Sequence, residues 1–126
     1  MQEIAKTAEK IAEILDNKKA QDIIIIDLDG LTIIADYFVV ASASSTTHVQ
    51  TLADEVQAKM SEECGRKPMR VEGEREGRWI VLDYQDVLVH LFHTEEREFY
   101  QLERLWKVED NFYDYADGQK KKRSQN

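Results

Sequence analysis

The feature that most constrains this chain is the run Ile23-Ile24-Ile25-Ile26, extended to Leu28 and closed by Asp29-Gly30. Four β-branched residues in succession crowd a helix and suit a pleated strand. With no polar alternation, such a strand has both faces covered. That places Ile23–Leu28 inside a sheet with layers on both sides, and the rest of the chain has to supply those layers.

The remaining patterns do so. Ile4, Ala8, Ile11, Ala12 and Leu15 recur at helical spacing, which predicts an amphipathic helix over about residues 3–16. Tyr37–Ala41 is a second strand. The hydroxyl-rich stretch Ser42–Thr47 follows, able to accept from the free N–H groups of a second helix. That helix carries Val49, Leu52, Ala53, Val56 and Met60 on one stripe and ends at Gly65 and Pro68. Met69, Val71 and Gly73 alternate as a third strand, Trp79–Tyr84 is a fourth, and Val87–Phe92 a fifth, joined to the fourth by the hairpin link Gln85-Asp86. Thr94 is the expected N-cap of a last helix, with Glu95, Glu96 and Glu98 in its first turn and Phe99, Leu102, Leu105 and Trp106 as its apolar stripe. The expectation is an α/β single domain: a mixed five-stranded sheet with packed helices over residues 1–108, then an acidic-aromatic and finally basic tail over 109–126.

Charge narrows the function classes. Seventeen basic residues against twenty-five acidic give a net charge of -8. Phosphate-mediated nucleic-acid binding needs clustered Lys and Arg, which this chain has only in Lys120–Arg123; a basic protein surface is the better partner. The single cysteine, Cys64, excludes a disulfide framework and a cysteine-rich metal site. The N-terminus lacks an apolar signal core and the longest apolar run is far too short to span a bilayer, so a cytoplasmic location is expected.

Two enzymatic readings require weighing. Asp27-Leu-Asp29-Gly30 at the end of a buried strand resembles the first motif of haloacid-dehalogenase phosphatases, where paired carboxylates attack phosphorus and help hold magnesium. Here the hydroxyl expected after the glycine is Leu31, with Thr32 one place late, and no acidic pair follows a later strand. Nucleotidyl transfer is the other reading, with Asp27, Asp29 and Asp83 as nominal metal ligands. It lacks a Gly-Ser turn and basic residues to grip triphosphate. His90 and His93 lie three apart on a strand and face opposite ways, which disfavours a shared metal. No catalytic residue, metal or cofactor is therefore expected.

Binding residues are easier to nominate. The fourth strand sets Trp79, Val81 and Asp83 on one face and Ile80, Leu82 and Tyr84 on the other. An exposed aromatic beside an acid is an anchor set for a protein partner. Spacing alone leaves Trp79 either core or anchor, and His90 either a satisfied sheet histidine or an interface donor.

An ordered series of segments resembles the Iojap-type ribosomal silencing factors. It comprises Asp22–Asp27, Ile34–Val40, Ser44–Val49, Leu52–Val56, Val71–Gly73, Gly77–Tyr84, Asp86–Phe92 and Glu96–Trp106. The resemblance spans roughly residues 4–107. Ser42-Ala43 and Thr47 stand where that family usually has Gly-Thr and a basic residue, so a basic contact at Thr47 is not carried over. The resemblance implies a nucleotidyltransferase-like topology without catalytic residues. It also implies docking on protein fourteen of the large ribosomal subunit, which blocks the small subunit and represses translation in starvation or stationary phase. A homodimer in the free state is implied as well. The residues carried over as contacts are Trp79, Asp83, Tyr84 and His90, with Asp36 and Tyr37 after them; Lys120–Arg123 would add a minor contact to ribosomal RNA.

Overall fold

The structure is a computed structural model that describes residues 2–108, 110–116 and 119–122, with side chains over 6–108 and 110–115. Its elements in chain order are α1 (Gln2–Asn17), β1 (Gln21–Asp27), β2 (Tyr37–Ala43), α2 (Thr46–Cys64), β3 (Arg70–Glu72), β4 (Trp79–Asp83), β5 (Val87–His93), α3 (Thr94–Tyr100), α4 (Leu102–Leu105), β6 (Phe112–Ala116) and β7 (Gln119–Lys122). One mixed sheet runs in the order β3-β4-β5-β2-β1-β6-β7. Its only parallel pair among these is β2 with β5, the pair that α2 and the β3–β4 hairpin bridge.

The isoleucine run behaves as its chemistry requires. Ile23, Ile24, Ile25 and Ile26 are all buried. Ile23 and Ile25 join the cluster beneath α1 and α2; Ile24 and Ile26 join a second cluster on the opposite face with Phe38, Val40, Phe92 and Phe112. The first cluster is the larger. Ala8, Ile11, Ala12 and Leu15 of α1 and the expected stripe Val49, Leu52, Ala53, Val56 and Met60 of α2 pack there against Val39, Ile80, Leu82, Val89 and Leu91.

The ends of α2 follow local rules. Ser45 Oγ accepts from the His48 backbone N–H at 3.0 Å, the cap expected of the hydroxyl stretch. Gly65 closes the helix at φ +65, donating back to Ser61 O. A tighter constraint sits at Gly73, φ +85, where a Cβ would lie 2.0 Å from the Trp79 carbonyl oxygen. Only glycine lets that loop close against the start of β4.

The strand count and the last helix are corrected. The sheet has seven strands, not five, because β6 pairs antiparallel with β1 and β7 pairs with β6. Residues 112–116, expected in a tail, bury Phe112 and Tyr115. They cover the edge of the isoleucine strand, whose backbone groups would otherwise lack partners. The expected last helix is broken at Gln101, φ +49, into α3 and α4. Its N-cap is His93, whose Nδ1 accepts from Glu95 N–H at 3.2 Å, and not Thr94. Its expected apolar stripe is split: Leu102 and Trp106 pack against the second cluster, whereas Phe99 and Leu105 are exposed, and the buried residue of α3 is Arg97.

Candidate functional site: an aromatic face beside an acidic edge

Cross-strand register sorts the expected contact residues. Trp79 pairs with Phe92 and Val81 with His90 across β4–β5, while His90 pairs with Val40 and Leu88 with Phe38 across β5–β2. Directly opposed residues share a face. Trp79, Asp83, His90, Phe92 and Phe38 therefore lie on the face turned away from α1 and α2.

On that face the rings form one connected cluster. Trp79 stacks on Phe92 at 4.8 Å between centroids and meets Tyr100 at 5.2 Å. Phe38 sits edge-on to His90 at 4.6 Å and to Trp106 at 5.5 Å. Tyr100 contacts the exposed Phe99 edge-on at 4.9 Å. Trp79 is half-buried, so both sequence alternatives hold in part: the indole packs on Phe92 and against Tyr100 and keeps part of its surface accessible.

The indole N–H of Trp79 donates to His90 Nδ1 at 3.1 Å. An indole nitrogen only donates, so Nδ1 is the acceptor and the neutral ring carries its proton on Nε2. That atom is enclosed and has no partner among the described residues. Burial among aromatic rings pushes the His90 pKa down to about 4, which keeps the ring neutral at physiological pH.

Trp79 is held in place from its own neighbour. Arg78 binds both Glu95 and Glu96 of α3, through Nη2 and Nε. Gln50 of α2 donates to the carbonyls of Glu74 and Arg75 in the preceding loop at 3.0 and 3.1 Å. His93, Glu95 and Glu96 also bring three possible metal-ligand atoms within 4.8 Å of one another, but the Arg78 guanidinium already answers both carboxylates.

Asp83 lies at the end of β4 on the same face as Trp79, accepting from Arg70 at 3.2 Å and from the Gln85 N–H at 2.8 Å. Asp36 is exposed at the start of β2, its backbone N–H bonded to Asp86 O at 2.8 Å. Tyr84 and Tyr37 fall elsewhere. Tyr84 is 2% exposed beneath α2, with burial pushing its hydroxyl up to about 12, and Arg66 lies over its ring. Tyr37 is buried in the same helix-covered cluster. The alternation of side chains along β4 already separated Trp79 from Tyr84; no kink brings them together.

The carboxylates do not converge on a metal. Asp27 spends Oδ1 on the Asp29 N–H at 3.0 Å, an Asx turn at Gly30. Asp83 stands on β4, and β2 and β5 lie between it and β1; at ~4.8 Å per strand that is roughly 14 Å. Shared metal ions need ligands far closer.

Sequence reasoning missed Phe38, Phe92, Tyr100 and Trp106 as members of the cluster. The signal for Phe92 was present, since Leu88, His90 and Phe92 alternate along β5. The position of Tyr100 and Trp106 depends on the break at Gln101.

Comparison with known proteins adds an independent line. A family described as "Ribosomal silencing factor during starvation" matches residues 1–126. The chain is 41% identical over 91 residues to the ribosomal silencing factor of Bacillus subtilis, covering 72% of this chain and 76% of that one. It is 31% identical over 101 residues to the mouse protein named mitochondrial assembly of ribosomal large subunit protein 1, covering 78% of this chain and 44% of that longer one. A crystal structure of a Chromobacterium violaceum protein superposes with a TM-score of 0.74 at 36% identity, covering 84% and 85% of the two chains.

Proposed function

The chain belongs to the ribosomal silencing factor family, regulators rather than enzymes, and from that premise we propose that it docks on the large ribosomal subunit through protein fourteen of that subunit. The observation that carries the reading is the open aromatic face, with Trp79 braced by His90 and Phe92 and flanked by Asp83. A partly accessible Trp in a desolvated aromatic setting is the residue type that dominates protein interfaces. The name of the mouse relative, for its part, points to the large subunit.

The net charge of -8 favours encounter with a basic ribosomal protein and opposes contact with ribosomal RNA. Silencing then needs no chemistry. A chain of this length has a radius of gyration of roughly 14 Å, and a body of that size on the joining face excludes the small subunit by volume. Translation falls as a result, in starvation or stationary phase. Trp79 and Asp83 are the proposed contacts, with Asp36 at the margin; His90, expected as a contact, is buried and acts by holding the Trp79 indole, and Tyr84 and Tyr37 act by supporting β4 and β2 from beneath. In the free protein the same apolar face, with Phe99 and Leu105 exposed beside it, pairs two copies as a homodimer. The working location is the cytoplasm; among the described residues no helix is long and apolar enough to cross a membrane. Lys120–Lys122 belong to β7 by their backbone, while Arg123 lies outside the described residues; a minor contact of this run with ribosomal RNA is part of the proposal.

Sedimentation with separated ribosomal subunits tests the reading. The protein should travel with large subunits, not with small ones, and mixing should yield fewer joined ribosomes. Absence of binding to isolated large subunits at low salt would sink it.

A further inference from the structure

The α3–α4 segment crosses the aromatic face and divides it. Trp79 and Tyr100 lie on the β4 side. On the β1 side opens a cavity of about 450 Å³, within the range of small-molecule sites. Its lining is polar and charged, unlike the aromatic cluster next to it.

At the floor lies Arg97, 8% exposed. Nε donates to Glu103 Oε2 at 3.2 Å. Nη1 donates to Gln21 O at 3.3 Å and to Ser42 Oγ at 3.1 Å. Nη2 has no partner among the described residues and is not among the enclosed unpaired atoms, so it is the donor left to face the cavity that Arg97 lines. Beside it, Glu103 Oε1 is enclosed, closed off from solvent, and without a partner among the described residues. A buried guanidinium with a vacant donor is an unfinished hydrogen-bond network, and buried polar groups are normally satisfied.

The surroundings say what finishes it. Arg104 and Lys107 line the same cavity and have no ion-pair partner among the described residues. Together with Arg97 they gather three cations in a chain whose net charge is -8. The rim also carries the carboxylates of Asp22 and Glu98, which suit hydroxyl donors. Phe112 contributes a wall but is 2% exposed, so there is no ring face for a base to stack on.

We propose that this cavity binds a small phosphorylated polyol of the sugar-phosphate class. The phosphate is held by Arg97 Nη2, Arg104 and Lys107, and the hydroxyls by the rim carboxylates of Asp22 and Glu98. A charged N–H donor with two flanking cations suits a phosphate, and the adjoining acceptors distinguish a polyol phosphate from a bare anion.

The test is titration of the full chain with ribose 5-phosphate, inorganic phosphate and ribose at low ionic strength. It is read by calorimetry and by the NMR resonance of the Arg97 side-chain N–H. Ribose 5-phosphate should saturate the site, shift that resonance and bind more tightly than inorganic phosphate, and ribose alone should not bind. Arg104→Ala with Lys107→Ala, both exposed residues, should leave the melting curve unchanged and weaken binding about tenfold or more. No saturable binding of ribose 5-phosphate, no shift at Arg97 on saturation, or equal affinity in the double variant would each overturn the assignment.

Discussion

The two faces of this sheet are built from the same strands and have different fates. Beneath α1 and α2, every second residue of β1, β2, β4 and β5 meets a long amphipathic helix, and the interface is closed and apolar. On the other face the cover is two short helices broken at Gln101. There the rings of Trp79 and Tyr100 stay partly open, His90 Nε2 is left unpaired and Arg97 keeps a vacant donor. The first face holds the molecule together. The second has spare hydrogen-bonding and apolar capacity, which is what recognition needs.

Leu82→Ala on the helix-covered face should produce the largest effect in stability. Leu82 is fully buried, and truncation there should cost about 2–5 kcal/mol, visible as a lower denaturant midpoint, with docking lost only in proportion to unfolding. Trp79→Ala on the open face should reverse the pattern. Docking on the large subunit weakens by about 2 kcal/mol or more, while the melting curve stays closer to wild type than that of Leu82→Ala. If the two variants show the same ratio of lost stability to lost binding, the faces are not functionally distinct.

Acid should separate the faces as well. The His90 pKa is about 4 in the folded protein against roughly 6.5 unfolded. The unfolded chain therefore binds the proton first, and the stability contributed by neutral His90 is present above pH 6.5 and lost as pH falls from there towards 4. Between pH 7.5 and pH 5 this amounts to about 2 kcal/mol. His90→Phe should flatten that part of the stability–pH profile measured by chemical denaturation; an unchanged slope would show that the ring is not held neutral by burial. The smallest effect is expected at the β1 terminus. Asp27→Asn with Asp29→Asn should leave inhibition of subunit joining within a few-fold of wild type, since these acids form an Asx turn and face no metal partner. Loss of a phosphatase or nucleotidyltransferase turnover in this pair would instead restore the enzymatic reading.

The legibility of the chain follows the same division. Helix and strand periodicities that report burial against a long neighbour, such as Ala8, Ile11 and Leu15 or Val49, Leu52 and Val56, were readable because the pattern and the contact are both local. The series of motifs that resembles silencing factors reached the family. The Trp79 side of the site was half readable, since alternation along β4 placed Trp79 with Asp83 and away from Tyr84. The strand at Phe112–Ala116 was not readable as part of the sheet: its partner is Ile23–Ile26, nearly ninety positions away, and no local period encodes which edge a strand will join.

What the sequence by itself determined is the interior. A run of four isoleucines cannot stay in water, and two apolar helical stripes of matching length have one economical place to go, so the sheet and its helix-covered face follow from hydrophobic burial and backbone periodicity. What only the tertiary structure decided is the open face. Which rings meet Trp79, that His90 takes its indole proton, that Arg97 is buried with a donor to spare, and that β6 shields β1 all depend on residues brought together from distant parts of the chain. Their geometry is set by strand register and by one left-handed residue at Gln101, neither of which leaves a repeating mark in the order of amino acids.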